Sequence, residues 1–137
     1  MAAQDFCPPR RNLGPVCVKR ANAERFPSPP EEFEPMQLPL ADSLRRLSRD
    51  KADFVCLLEK EGFDVGLYSP DRVDTQTPHL RDEIYVVASG SGDFVCKGER
   101  APVGPGDAIF VTAGDEHRFE NFTADLSAWV IFIGKRA

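Results

Sequence analysis

Only two histidines occur in this chain of 137 residues, His79 and His117, and both stand where a metal site would need them. Glu83 follows His79 by four positions and opens the apolar run Ile84-Tyr85-Val86-Val87-Ala88. If the strand already includes His79, that even offset puts imidazole and carboxylate on one face, which Tyr85 and Val87 continue inward. His117 opens a later run in which Phe119 and Asn121 share its face, while Arg118 and Glu120 point the other way. Two imidazoles and one carboxylate suit zinc, iron, manganese or nickel, and three protein ligands leave positions open for water or a substrate. The same residues also admit a plainer reading, a hydrogen-bonded histidine on a strand and a solvated glutamate at a sheet edge. Spacing alone does not separate the two.

The elements that must carry these residues are short. Twelve prolines and ten glycines break the chain too often for a helical bundle and favour strands joined by turns. Strand-like stretches cover 54–58, 63–68 after a Gly62 turn, 83–88, 94–97, 101–103, 108–112, 117–122 and 126–133. Ser89-Gly90-Ser91-Gly92 signals a hairpin, and Gly98-Glu99 a second turn. The pattern predicts an all-β antiparallel sandwich or barrel. Ahead of it, Asp42 or Ser43 is placed to cap a helix of about two to three turns, with Leu44 and Leu47 on one face and Arg45, Arg46 and Arg49 on the other. Such a helix needs something to pack on.

Length allows one core, not two. A net charge of −5 and a pI near 5.0, with no basic stripe, argue against a nucleic-acid partner. The longest apolar run, Trp129-Val130-Ile131-Phe132-Ile133, is far short of the roughly 20 residues of a membrane helix. The N-terminus lacks the apolar core of a secretory signal, which makes the cytoplasm the default location. Residues 1–35 hold seven of the twelve prolines and show no sustained period, so they are expected to form an extended or disordered segment ahead of a domain at 36–137. The same feature can also be read as a stretch upstream of a true start at Met36. Cys7, Cys17, Cys56 and Cys96 show no C-x-x-C pairing; Cys56 and Cys96, inside apolar runs, read as small buried hydrophobes.

Two segments then resemble the motifs of a known family. Gln76-Thr77-Pro78-His79-Leu80-Arg81-Asp82-Glu83, running on to Gly90 and Gly92, looks like the first cupin motif, and Gly104-Pro105-Gly106-Asp107 through His117 to Asn121 looks like the second. The resemblance covers 76–121 and extends plausibly over 40–135. It implies a cupin-type double-stranded β-helix, a jelly-roll barrel of the small single-domain RmlC-like kind, with one divalent metal ion (Zn, Fe, Mn or Ni) on His79, Glu83 and His117. The family's first histidine falls on Thr77, a poor ligand, and the Gln-Thr-Pro-His form is similar to one group of small cupins that lacks it. Gln76, Thr77, Tyr85, Phe94, Phe110, Phe119, Asn121 and Trp129 are the expected pocket lining, although Asn121 reads first as a loop-bonding residue and the rings first as barrel packing. Arg81 is assigned either to the pocket mouth, where it would attract an anion, or to a solvated loop.

Cupins host oxygenases, isomerases and lyases, so the resemblance implies a metal-dependent enzyme acting on a small organic molecule without choosing among them. A non-catalytic metal- or metabolite-binding module is the alternative, and a metal-free barrel with remnant ligands a third. In 126–133 both alternating faces are apolar: Ala128, Val130 and Phe132 on one, Trp129, Ile131 and Ile133 on the other. One face fills the barrel. The other needs the helix, the N-terminal segment or a second subunit as cover, and the resemblance implies a homodimer.

Overall fold

The alternating runs become eight strands and one helix in a computed structural model that describes residues 37–135. The expected Pro-rich segment at 1–35 lies outside the described residues. Helix α1 spans Leu40–Asp50, followed by β1 (Phe54–Lys60), β2 (Phe63–Tyr68), β3 (Asp82–Ser89), β4 (Gly92–Cys96), β5 (Glu99–Val103), β6 (Ala108–Val111), β7 (His117–Glu120) and β8 (Ser127–Ile133). Five strands pair in the order β1-β2-β8-β3-β6 and three in the order β5-β4-β7, with every pairing antiparallel. The result is a two-sheeted antiparallel jelly roll. Among the described residues no helix is long and apolar enough to cross a membrane.

The period of two sorts side chains between the interior and the outer face. Tyr85, Val87, Phe94, Val111, Phe119, Ala128 and Val130 fill the interior. On the other side of the five-stranded sheet, Leu47 of α1 packs with Leu40 and Leu44 against Val55, Leu67 and Trp129. The helix therefore finds the packing partner its length requires.

Its start differs from expectation. Neither Asp42 nor Ser43 caps it: Pro39 holds the cap position in an extended conformation, and the buried Ser43 hydroxyl donates to the Pro39 carbonyl at 2.9 Å. Proline's fixed φ suits the entry to a helix, so the hydroxyl is left to bond back within the first turn.

Gly90 makes the β3–β4 hairpin possible. Its φ is +72°, and a Cβ there would stand 2.6 Å from the Leu126 backbone. Ser89 completes the closure, donating to the Asp125 carbonyl at 2.7 Å.

Candidate metal centre

Glu83 lies near the start of β3, paired on one side with Val111 of β6 and on the other with Phe132 of β8. Inward parity buries it to 1% exposure, yet neither carboxylate oxygen has a hydrogen-bond partner. A buried carboxylate without donors is expensive, and proteins retain one only where a cation or a proton compensates.

Both imidazoles approach that carboxylate. His117, the first residue of β7, donates from Nδ1 to the Asp115 carbonyl at 2.7 Å, which in the neutral ring leaves a lone pair on Nε2. That Nε2 lies 3.3 Å from Glu83 Oε1, and His79 Nε2 lies 3.5 Å from the same oxygen. One ligand atom from each of the three residues falls within 4.8 Å of the others. Two imidazole nitrogens and a carboxylate whose buried oxygens lack partners fit one divalent ion. Burial works against a charged His117, but the Glu83 carboxylate and the Asp115 carbonyl outweigh it and raise its pKa.

His79 arrives by a route other than strand parity. β3 begins only at Asp82, so His79 sits in the irregular segment between β2 and β3, and its carbonyl accepts from Gly114 at 2.7 Å. Two acidic residues that sequence reasoning passed over hold this segment. Asp74, 6% exposed, accepts from the Tyr68 hydroxyl (2.5 Å), the Gln76 backbone (3.0 Å), the Gln76 side-chain amide (2.7 Å) and the Phe119 backbone (2.8 Å). Asp64 of β2, 4% exposed, pairs with Arg81 at 2.7 Å. Arg81 is thus no solvated loop residue: its guanidinium lies 4.8 Å over the Phe132 ring, whose edge-to-face partner at 5.4 Å is His79. The bond from Gln76 N–H to the Asp74 side chain is an Asx turn, the one local signal that could have marked Asp74.

The expected lining divides. Tyr85, Phe94 and Phe119 do wall the interior, with ring centroids 5.1–5.8 Å apart, and Gln76 reaches them through the Tyr85 hydroxyl at 2.8 Å. Phe110 does not, because Val111 pairs with Glu83 and turns inward, leaving Phe110 outward and 61% exposed. Trp129 lies under α1 on the outer face. Asn121 leaves the His117 face at the end of β7, with φ +49°, and bonds the Asp93 carboxylate at the surface. Thr77 is exposed.

The rings of Tyr85, Phe94 and Phe119 pack against one another in the interior. Two surface hollows, of about 590 and 240 Å³, lie at Glu59–Gly62 with Gly134–Lys135 and at Arg72–Asp74 with Arg118–Phe122, and neither is lined by the three candidate ligands. Solvent reaches the triad from the His79 side, where that side chain is 34% exposed against 1% for Glu83 and His117. Burial, and then the Glu83 charge, push Tyr85 well above the usual tyrosine pKa; burial and the Asp74 bond do the same for Tyr68.

Comparison with known proteins places this geometry. A family model described as a cupin domain matches residues 66–133. An uncharacterized protein of Streptomyces coelicolor is 35% identical over 89 residues, covering 64% of this chain and 84% of that protein. The acireductone dioxygenase of Rhodopseudomonas palustris is 33% identical over 108 residues, and the match covers 64% of this chain and 66% of the enzyme, just under two thirds of its length. Among solved structures, KdgF from Halomonas (TM-score 0.53, 21% identity, 61% of this chain and 78% of that one) shares the fold. EutQ of Clostridium difficile does so as well (TM-score 0.53, 16% identity, 61% and 68%).

Proposed function

We propose that this chain, which belongs to the cupin family, binds one divalent metal ion through His79, Glu83 and His117 and acts with it on a small organic molecule. The observation that carries the reading is the Glu83 carboxylate, sealed in the barrel with no donor and faced by two imidazole nitrogens. Once bound, the ion supplies Lewis acidity or a meeting point for oxygen and substrate. The chain's own part is to hold the three donors and keep water out. Tyr85, Phe94 and Phe119 close the inner side, while the His79 side leaves an approach. Two histidines and one carboxylate form the donor set of non-haem iron oxygenases, and the likeness to an acireductone dioxygenase leans the same way.

The test is reconstitution with iron, manganese, nickel and zinc, followed by elemental analysis and oxygen-uptake assays against small metabolites. One ion per chain is expected, and His117→Ala is expected to lose it while retaining its β-sheet circular dichroism. Stoichiometric metal in that variant refutes the ligand assignment. A second reading, a binding module without turnover, is favoured by the Tyr85 hydroxyl, whose hydrogen is committed to Gln76 and so is not a free acid beside the triad, and it gains support from saturable ligand binding without product under every metal.

We also propose that the chain forms a homodimer through the outer face of the five-stranded sheet. There Val65, Ile131, Ile84 and Phe110 form one apolar row across four strands, and Phe63 pairs with Ile133 beside it. Phe63, Ile133 and Phe110 are 40%, 40% and 61% exposed, a pattern that suits a partner surface. Light scattering is expected to give a dimer mass for the wild type and a monomer mass for Phe110→Glu.

A further inference from the structure

Hydrogen-bond direction assigns a role to a residue beside the three ligands. Asp74 accepts from the Gln76 side-chain amide at 2.7 Å, and an ionised carboxylate can only accept, so the nitrogen of Gln76 faces Asp74. Its carbonyl oxygen Oε1 must then face the Tyr85 hydroxyl, 2.8 Å away, and the hydroxyl must donate. The phenolic oxygen also lies 3.2 Å from His117 Nε2. With Nδ1 donating to the Asp115 carbonyl, the neutral ring has no hydrogen on Nε2. In that neutral tautomer, the one an ion requires, Tyr85, His117 and Glu83 present only lone pairs to one another.

We propose that Tyr85 is a specificity-determining residue of this site, with Gln76 and Asp74 as its positioning residues. Because its single hydrogen is committed to Gln76, Tyr85 offers only a lone pair to whatever joins the three ligands. The site therefore favours a group that carries hydrogen (water, an alcohol, an enol or a hydroxamic acid) and disfavours a bare anion. The inference rests on the reading of His79, Glu83 and His117 as a metal centre. It adds one residue to that reading: the Tyr85 oxygen, 3.2 Å from His117 Nε2, is an acceptor.

The experiment uses full-length protein loaded with cobalt(II), with azide as the bare-anion probe read by the visible spectrum of the ion. Tyr85→Phe removes the facing lone pair and is expected to tighten azide binding while leaving cobalt affinity unchanged. Gln76→Leu keeps the oxygen but frees its hydrogen to turn toward the anion, and is expected to tighten azide by at least about tenfold, more than Tyr85→Phe does. A residue with a merely structural role would weaken azide binding or leave it alone when altered. Equal or weaker azide binding in Gln76→Leu, with cobalt still bound, overturns the inference and leaves the metal reading standing. Failure of the wild type to bind cobalt overturns both.

Discussion

Replacing Glu83 by methionine separates what this residue does for the fold from what it does for an ion. The carboxylate is 1% exposed and neither oxygen has a hydrogen-bond partner. Burying such a charge costs several kcal/mol even after relaxation, and exchanging buried ionic groups for apolar ones of similar volume is often neutral or stabilising by about 1–4 kcal/mol. Methionine has the reach of glutamate and adapts to irregular surroundings, so it can fill the space beside Val111 and Phe132. Metal-free Glu83→Met is therefore expected to be about 2 kcal/mol more stable than the wild type near pH 9, well above the ordinary imidazole range.

The gain depends on pH with a definite sign. His117 has its folded pKa raised, and the Glu83 carboxylate is one cause. Stabilisation from the protonated pair is complete below the unfolded value of about 6.5 and is lost as pH rises through the folded value. The advantage of methionine is thus expected to shrink near pH 6. Urea unfolding with a chelator at both pH values measures this. Repeating it with metal at about a hundredfold over Kd should add about 2.7 kcal/mol to the wild type and nothing to the variant. A metal-free variant less stable than wild type near pH 9 would refute the reasoning, because Glu83 would then be supporting the fold without any cation.

Both tyrosines of the chain, Tyr68 and Tyr85, are buried with raised pKa values, so phenolate absorbance should be absent as pH passes about 10 and appear only with unfolding. Their contribution to stability is intact below the unfolded value of about 10 and falls above it; a tyrosine titrating near 10 in folded protein contradicts this burial. Asp74→Ala strips the acceptor from the Tyr68 hydroxyl and the Phe119 backbone, and is expected to destabilise the metal-free protein by about 3–5 kcal/mol in urea. A loss under about 1 kcal/mol would show that these donors find other partners.

The strands were legible because half-buried strands write a period of two into the local sequence, and the positive-φ turns at Gly62, Gly90 and Gly98 mark three of their boundaries. Which face turns inward was not legible where both faces are apolar. Ala-Ile-Phe-Val in β6 and Ser-Ala-Trp-Val-Ile-Phe-Ile in β8 carry no alternation, and their parity is set by pairing with distant residues, as in Glu83 with Val111. Phe110 and Trp129 were accordingly expected inside and lie outside. His79 was read from strand parity, yet its position comes from loop contacts with Gly114 and the anchors around it, so the expected convergence arises by a different mechanism.

The acidic anchors show why a donor set is easier to read than the site it forms. Asp74 resembles a solvated residue in a polar stretch and Asp64 a lone charge in an apolar strand; their partners Arg81, Tyr68 and Phe119 gather from separate elements. Residue type announces which atoms can bind a metal, since that is chemistry carried by a single side chain. Hydrogen-bond direction is a property of a chain of partners: Asp74 orients Gln76, Gln76 orients Tyr85, and only then does the phenolic oxygen have a determined role. Two cupins with the same three ligands can therefore prefer opposite protonation states of their ligands if a buried carboxylate two residues beyond the site differs. On this physical ground, reaction preference in such barrels is to be sought in the residues that orient the neighbours of the metal ligands as much as in the ligands themselves.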